Sequence, residues 1–254
     1  MKLKVMSLNL RFDLANDGIN SFEFRKKNIL EAINSQSPDL IGFQEATDTI
    51  RYFLRENLTD YIVLGGGRDK EYLGEASCIA YKKHDFELVA FEREMFSLTP
   101  NIFGTRHRWS DQSGCPRMFV HATLKHKEIE KPVNLFNTHF DHWGEQARIV
   151  EMVQVLQSIS KCGGNVVFMG DLNAKPSSPV VAMPLSTGLG LQLQECTKDI
   201  KITFHNYGKI TTDNKIDYIY TDAHTVSCYT VEDAHVDGVY ISDHYPICAE
   251  IDFE

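Results

Sequence analysis

Short apolar runs alternate with segments of helical periodicity over the first 67 residues. Residues 3–10 (LKVMSLNL), 40–45 (LIGFQE) and 61–67 (YIVLGGG) predict three strands, the last running into glycines. The stretch after Ser21 (FEFRKKNILEAINS), which Pro38 terminates, and residues 46–58 (ATDTIRYFLRENL) predict two helices between them. This alternation is typical of an α/β protein.

The middle of the chain has a different pattern. Residues 78–83 (CIAYKK), 86–98 (FELVAFEREMFSL) and 117–126 (RMFVHATLKH) have the composition of strands, and only loops separate them. Because no helix intervenes, we expect these strands to pair in antiparallel fashion.

A long helix and further strands follow. Residues 145–161 (EQARIVEMVQVLQSISK) predict a helix that Cys162, Gly163 and Gly164 stop, with an apolar stripe of Ile149, Val153, Leu156 and Ile159. Strands are predicted before it in PVNLFNTH and after it in VVFM, KIDYIYT and YPICAEI. No low-complexity linker and no short repeat interrupt the sequence, so we expect one α/β domain with mixed sheets over residues 1–254.

Composition restricts the partners of this domain. Of 254 residues, 43% are hydrophobic and 11% aromatic, which is enough for a sizeable core. The formal net charge of -9 repels polyanions, so binding of nucleic acid would require a local basic cleft or bound cations. No apolar run approaches the ~18 residues of a spanning helix, so no membrane association is expected.

The six cysteines contain no CxxC pair, and the first ten residues are too short and too polar for a secretory signal. We therefore expect reduced thiols and a cytoplasmic location. No obligate protein partner is evident from the sequence.

Polar residues cluster at the ends of the predicted strands. Six segments supply them: Asn9; Glu45; His139, Asp141 and His142; Asp171 and Asn173; Asp217; and Asp243 and His244. Each alone is explained by a turn or by a satisfied histidine. Together they are typical of layered α/β proteins, in which functional groups gather at strand ends.

The residue types indicate a metal and phosphate chemistry. Carboxylate and amide oxygens suit Mg²⁺ or Mn²⁺ better than Zn²⁺, and the pair His139 and His142 (HxxH) is a weak zinc pattern. Hydrolysis of a phosphoester requires a cation, a base for water and donors for the developing negative charge. The set of strand-end residues contains a group for each task.

Six short blocks, in this order, resemble the endonuclease/exonuclease/phosphatase superfamily: MSLN (6–9), QE (44–45), NTHFDH (137–142), GDLNAKP (170–176), KIDYI (215–219) and SDHYPI (242–247). The resemblance covers residues 5–251. It implies a four-layer α/β/β/α sandwich of two mixed, mostly antiparallel sheets with outer helices, as in deoxyribonuclease. The chain looks most like small bacterial members near the Ccr4/nocturnin-like branch.

The resemblance also implies roles for the metal and water sites. Glu45 would be the principal ligand of Mg²⁺, with Mn²⁺ as a substitute, and Asn9 would lie beside it. Asp243 would complete the acidic cluster. Asp171 and Asn173 would position or deprotonate the attacking water.

The histidines and the outer residues take further roles by the same resemblance. His244, oriented by Asp217, would bond a phosphoryl oxygen and transfer a proton, and His139 would be a second imidazole facing the phosphate. Glu75 would pair with that histidine and Arg117 would contact the phosphate. Residues from two other segments are candidates for substrate binding: Arg106, Arg108 and Trp109 in RHRW, and His205 in TFH.

Three functions remain open at this point. The first is a Mg²⁺-dependent hydrolase of a small phosphodiester or phosphomonoester, which the acidic charge favours. The second is a nuclease such as a 3′–5′ exoribonuclease, which a positive stripe beside the acidic pocket would favour. The third is a catalytically silent binding scaffold, which the presence of Glu45, Asp171, Asp217 and His244 disfavours.

Overall fold

A computed structural model describes residues 1–186 and 192–253. Its strands, numbered along the chain, are β1 (Lys2–Asn9), β2 (Leu40–Gln44), β3 (Tyr61–Leu64), β4 (Cys78–Lys82), β5 (Phe86–Met95), β6 (Met118–His126), β7 (Val133–His139), β8 (Asn165–Asp171), β9 (Gln194–Glu195), β10 (Asp217–Thr221), β11 (His224–Thr230), β12 (His235–Val236), β13 (Val239–Tyr240) and β14 (Ile247–Asp252). Its helices are α1 (Phe22–Gln36), α2 (Asp48–Asn57), α3 (Glu145–Ile159) and the single turn α4 (Pro179–Ala182), with 3₁₀ turns at Gly18–Asn20 and Met183–Leu185.

Within the described residues the strands form two six-stranded sheets and one small ribbon of β12 and β13. The first sheet has the order β11-β14-β1-β2-β4-β3 and the second the order β5-β6-β7-β8-β10-β9. Each sheet contains one parallel pair, β1 with β2 and β7 with β8, and its other pairs are antiparallel. The two mixed, mostly antiparallel sheets confirm the expected fold.

Three apolar clusters show how the layers stack. One cluster lies between the sheets and contains Val5 and Leu40 of the first with Leu135 and Val167 of the second. A second cluster joins the outer face of the first sheet to α1 and α2, and a third joins the outer face of the second sheet to α3 and α4. The order is therefore helix, sheet, sheet, helix, because each sheet has two apolar faces to bury.

The inward faces of the central strands become polar towards one end. In β1, Leu3 and Val5 belong to the inter-sheet core, and the next positions with the same period are Ser7 and Asn9. The same change occurs in β8, where the core residue Met169 is followed two positions later by Asp171. The strands therefore carry apolar residues into the core and polar residues to one end of the sandwich.

The predicted helices are present, and α3 differs in its buried face. In α1 the apolar residues Phe22, Ile29 and Ile33 are buried together with Arg25. In α3 the buried residues are Ala147, Glu151, Met152, Val155, Leu156 and Ile159. The predicted stripe was wrong at Val153, which is 37% exposed, and at Ile149, which is only half-buried. Apolar residues occur on more than one side of this helix, and packing on Phe136 and Phe168 of the second sheet selects the side that is buried.

Strand β11 was missed by the pattern of apolar residues. It is an edge strand beside β14, and its sequence HTVSCYT alternates between half-buried and exposed positions with few apolar residues. An edge strand obtains its backbone hydrogen bonds from one neighbour and needs no apolar run, so it leaves a weak signal in the sequence.

No helix among residues 1–186 and 192–253 has both the length and the apolar character required to cross a bilayer.

Candidate active site

The polar strand ends meet at one end of the sandwich. The carboxyl ends of β1, β2, β7 and β8 lie there beside the amino ends of β4, β6, β10 and β14, as the strand registers require. In the second sheet His139 pairs with Asp171, which pairs with Asp217, so three functional side chains stand in a row across β7, β8 and β10. Asn9 of the first sheet reaches this row by donating from Nδ2 to Asp171 Oδ2 at 3.1 Å.

A pocket of about 380 Å³ opens at this end. It is lined by Arg11, Phe12, Glu45, Arg68, Glu75, Cys115, Arg117, His139, His142, Asp171, Asn173, Phe204, Ile216, Asp243 and His244. Nine of these residues were candidates from the sequence, and two further candidates, Asn9 and Asp217, bond directly to lining residues. The structure thus brings together residues from all six strand-end segments.

Asp171 lies at the centre of this arrangement. Its Oδ1 accepts the backbone N–H of Asn173 at 2.8 Å, and its Oδ2 lies 3.6 Å from His139 Nε2 and 3.9 Å from His244 Nε2. Burial, reinforced by the negative charge of Asp217, raises the pKa of Asp171 to about 7. A carboxyl group that titrates near neutrality can accept or release a proton at physiological pH.

His244 and Asp217 form a buried pair. His244 Nδ1 lies 2.9 Å from Asp217 Oδ2, which holds the ring so that Nε2 faces Asp171. Burial alone would lower the pKa of His244, but the charge and hydrogen bond of Asp217 outweigh it and raise the pKa to about 10. His244 is therefore a protonated donor at neutral pH.

His139 has the opposite electrostatic character. Burial and the positive charges of Arg117 and Arg68 lower its pKa well below the ordinary value, so the ring is neutral. Its Nδ1 is buried and has no hydrogen-bond partner among the described residues. The two imidazoles beside Asp171 thus differ in charge, because only His244 has a second carboxylate, that of Asp217, hydrogen-bonded to its ring.

Glu45 provides a carboxylate on the opposite wall. Its Oε2 accepts the backbone N–H of Phe12 at 2.8 Å and its Oε1 accepts Asn9 Nδ2 at 3.2 Å. Glu45 has a positive φ of 57°, a left-handed conformation that points its side chain out of the strand direction and carries strain for a non-glycine residue. Asp243 lies across from it, with Oδ2 3.7 Å from Arg11 Nε.

These acids form a candidate site for a divalent metal. Glu45, Asp171 and Asp243 line one pocket and supply hard oxygen donors, which fit Mg²⁺ or Mn²⁺. Asn9 presents its amide nitrogen to Glu45 and Asp171, since its Oδ1 already accepts the N–H of Arg11 at 2.9 Å. In this orientation Asn9 holds the two carboxylates together.

A second grouping of possible metal ligands overlaps the first. Single donor atoms of Asp171, Asp217 and His244 lie within 4.8 Å of one another. In this group the Nδ1 of His244 and a carboxylate oxygen of Asp217 already satisfy each other, and both residues are buried. Asp171 and His244 line the same pocket as Glu45 and Asp243, so the two groupings are parts of one site.

The positions of Glu75 and Arg117 differ in part from expectation. Glu75 lines the pocket but pairs with Arg68, 3.0 Å away, and does not satisfy His139. Arg117 is only 3% exposed and its Nη2 lies 2.9 Å from His142 Nδ1. Arg68 takes the carboxylate that the sequence assigned to His139, because a guanidinium is a stronger partner than a neutral imidazole.

Four candidates for substrate binding lie outside the lining of the pocket. The guanidinium of Arg106 donates to Ser113 O at 2.7 Å, and Arg108 and Trp109 are exposed on the surface. His205 is buried, with its ring stacked on Tyr245 at 3.9 Å and its Nδ1 accepting the N–H of Gly208. These side chains support neighbouring loops or face solvent in the structure.

Five lining residues were not recognised in the sequence as site residues: Arg11, Phe12, Arg68, Cys115 and Ile216, whereas Phe204 lies in the candidate segment TFH (203–205). A charged residue directly after the glycine run 65–67, as at Arg68, is a signal that could have identified one of them. Arg11 and Phe12 are close to Asn9 in sequence, and loops that follow functional strand ends commonly carry further site residues.

Comparison with known proteins agrees with this geometry. The family model described as Endonuclease/Exonuclease/phosphatase family matches residues 6–244. A solved endonuclease/exonuclease/phosphatase from Bacteroides vulgatus is 26% identical, with a TM-score of 0.92 and coverage of 100% of both chains.

Two further solved structures share the fold. A Bacteroides thetaiotaomicron protein described as mannosyl-6-phosphatase Bt3783 is 24% identical, with a TM-score of 0.87 and coverage of 99% of this chain and 100% of that one. The TDP2 of D. rerio, solved with a single-strand DNA product, is 18% identical, with a TM-score of 0.75 and coverage of 99% of each chain.

Proposed function

The chain belongs to the endonuclease/exonuclease/phosphatase family and is a phosphoester hydrolase, and from this premise we propose that it is a Mg²⁺-dependent enzyme acting on a small phosphoester. The observation that carries the proposal is the environment of Asp171. Its buried carboxylate lies within 4 Å of both imidazoles and within hydrogen-bond distance of Asn9. A water molecule or phosphoryl oxygen in the pocket therefore meets an acid, a base and several donors at once.

Metal binding, acceptance of the water proton and proton donation would fall to different residues of the pocket. Glu45 and Asp243, with Asn9 behind them, would hold the metal, which when bound polarises a phosphoryl oxygen and lowers the pKa of water. Asp171, held by the N–H of Asn173, accepts the proton of the attacking water. His244, protonated through Asp217, donates to a phosphoryl or leaving-group oxygen.

The distribution of positive charge favours a small substrate. Arg11, Arg68 and Arg117 are inside the pocket, whereas Arg106 and Arg108 do not line it. With a net charge of -9, the surface repels a long polyanion, and the cations needed for a single phosphate are in the pocket itself. A pocket of about 380 Å³ also matches the size of a small ligand site.

The decisive experiment replaces Glu45. Glu45→Ala should abolish Mg²⁺-dependent hydrolysis of bis-p-nitrophenyl phosphate while leaving the circular dichroism spectrum and melting temperature close to those of wild type. Glu56→Ala, an exposed carboxylate on α2, is the matched control and should retain full activity. Retained activity in Glu45→Ala would refute the metal assignment.

A nuclease, such as a 3′–5′ exoribonuclease, is the second candidate. The full-length likeness to TDP2, which was solved with a single-strand DNA product, favours it. A panel of RNA, DNA, inositol phosphates and nucleotide diesters, assayed with Mg²⁺ and with Mn²⁺, separates the two candidates. Cleavage of oligonucleotides with a kcat/KM above that of every small ester would favour the nuclease.

A further inference from the structure

The wall of the pocket beside His139 contains an arginine with unused donors. Arg117 is 3% exposed, and its Nε and Nη1 have no hydrogen-bond partner among the described residues. The nearest carboxylate oxygen, Asp141 Oδ2, is 4.0 Å from Nε. Asp141 is already held by the backbone N–H groups of Ser113, Trp143 and Gly144. The unpaired Nε and Nη1 of this buried guanidinium can therefore donate to an oxygen of a ligand in the pocket.

His142 extends this set of donors. Its Nδ1 lies 2.9 Å from Arg117 Nη2, and a guanidinium can only donate, so Nδ1 accepts and the ring proton resides on Nε2. Partial burial and the charge of Arg117 lower the pKa of His142, which agrees with a neutral ring. The ring keeps one donor, Nε2–H, and His142 lines the pocket, so this donor is available to a ligand there.

Arg68 adds a second positive charge to the same wall. It is buried, lines the pocket and has Glu75 as an ion-pair partner at 3.0 Å. Burial and the nearby Arg117 lower the pKa of Arg68, so the two guanidinium groups repel each other across this wall. Glu75 pairs with Arg68 and the Asp141 carboxylate lies 4.0 Å from Arg117 Nε, but Nε and Nη1 of Arg117 have no hydrogen-bond acceptor among the described residues.

We propose that Arg68, Arg117 and His142 form an anion-binding wall that makes the enzyme prefer phosphomonoesters to phosphodiesters. A phosphomonoester carries a charge of about −1.5 to −2 at neutral pH and three terminal oxygens. A phosphodiester has one negative charge and two terminal oxygens, with a second ester group where the third oxygen would be. The wall supplies donors for that third oxygen and gains nothing from an ester substituent. This inference rests on the proposed function and adds the substrate class.

The test compares two chromogenic substrates in one variant. The ratio of kcat/KM for p-nitrophenyl phosphate to that for bis-p-nitrophenyl phosphate should exceed one in wild type. His142→Ala should lower kcat/KM for the monoester by about tenfold or more, which is the loss expected for a hydrogen bond to a charged group. The same substitution should change kcat/KM for the diester by less than about threefold. His142 is exposed but accepts a hydrogen bond from the buried Arg117, so the melting temperature of the variant is compared with that of wild type, and the exposed His84→Ala serves as the control.

Binding separates this inference from the proposed function. Calorimetry with phenyl phosphate and with diphenyl phosphate measures the affinity of the pocket for a monoester and for a diester independently of catalysis. Weaker binding of phenyl phosphate by His142→Ala would support the anion-binding wall. If wild type hydrolysed neither chromogenic ester, that absence of hydrolysis would count against the proposed function and not against the wall. Equal losses for monoester and diester in His142→Ala, or a wild-type preference for the diester, would overturn the inference.

Discussion

Asn137 links the two sheets directly beneath the pocket. It is fully buried in β7, and its Nδ2 donates to the backbone oxygens of Phe43 and Cys78 at 2.8 Å each, while its Oδ1 accepts Gln44 Nε2 at 2.7 Å. The sheets are very close at this point, since a Cβ on Gly42 would lie 2.8 Å from Asn137 Oδ1. One amide thus joins the strand that ends at His139 to the strand that leads to Glu45.

Asn137→Ala should therefore reduce both stability and activity. Truncation leaves two buried backbone oxygens without this donor, at about 1–3 kcal/mol each, so we expect a loss of ~2–6 kcal/mol. That is a large part of the ~5–15 kcal/mol by which a domain is usually stable. Because the link positions His139 against Glu45, we also expect kcat to fall by about tenfold to a hundredfold, as displacements near 1 Å do in active sites.

The matched control is Leu135→Ala, two residues earlier on the same inward face of β7. The cavity it creates should cost about 2–5 kcal/mol, but it removes no polar link. Urea denaturation gives the free energy of unfolding of each variant, and kcat is measured well below the midpoint. A stability loss under ~1 kcal/mol in Asn137→Ala, or an equal loss of kcat in Leu135→Ala, would refute the reasoning.

Two further predictions concern titrating groups. Asp217→Asn removes the charge that raises the pKa of His244 to about 10, so this pKa should fall in an NMR titration of the metal-free protein and kcat should drop by about 10² or more. The raised pKa of His244 stabilises the fold at pH values below the ordinary histidine pKa, and this contribution is lost as the pH rises through about 10. The difference in free energy of unfolding between wild type and Asp217→Asn should therefore shrink as the pH rises from the ordinary histidine pKa to about 10. A difference that stays constant with pH would contradict this prediction. Burial raises the pKa of Glu151 to about 8, so the folded protein keeps a proton on this carboxyl group that the unfolded chain releases near pH 4.5. The free energy of unfolding should therefore decline as the pH rises from 4.5 to about 8. Glu151→Gln should flatten that decline in melting temperatures measured from pH 4.5 to 8, and an unchanged slope would assign the decline to other groups.

Much of the site could be predicted because its residues fall at strand ends. Glu45, His139, Asp171 and Asp243 each follow or precede an apolar run, and the topology brings these ends to one pocket. A strand end is visible in the sequence as the point where apolar residues give way to polar ones. Arg68 lies in a loop without such a boundary, so a strand end does not mark it, and the glycine run before it is a weaker signal.

Pairings within the site could not be predicted, because they depend on which atoms come within hydrogen-bond distance. Glu75 was expected beside His139 and instead pairs with Arg68, and this leaves His139 Nδ1 without a partner. Arg106, Arg108 and Trp109 have the composition of a phosphate- or base-binding loop, yet none of them lines the pocket. Composition shows what a loop can bind, whereas its position relative to the pocket depends on packing between distant segments.

The periodicity of most strands and helices, the α/β class and the order of the polar blocks can be read from the sequence, because these are properties of neighbouring residues. The tertiary structure alone decided which side of α3 is buried and which histidine is charged. Asn9 and Asp171 are separated by 162 residues and meet at 3.1 Å, and the pKa of Asp171 depends on burial and on Asp217 beyond it. Burial and charge act through space, so the protonation states of the site exist only once the two sheets have packed together.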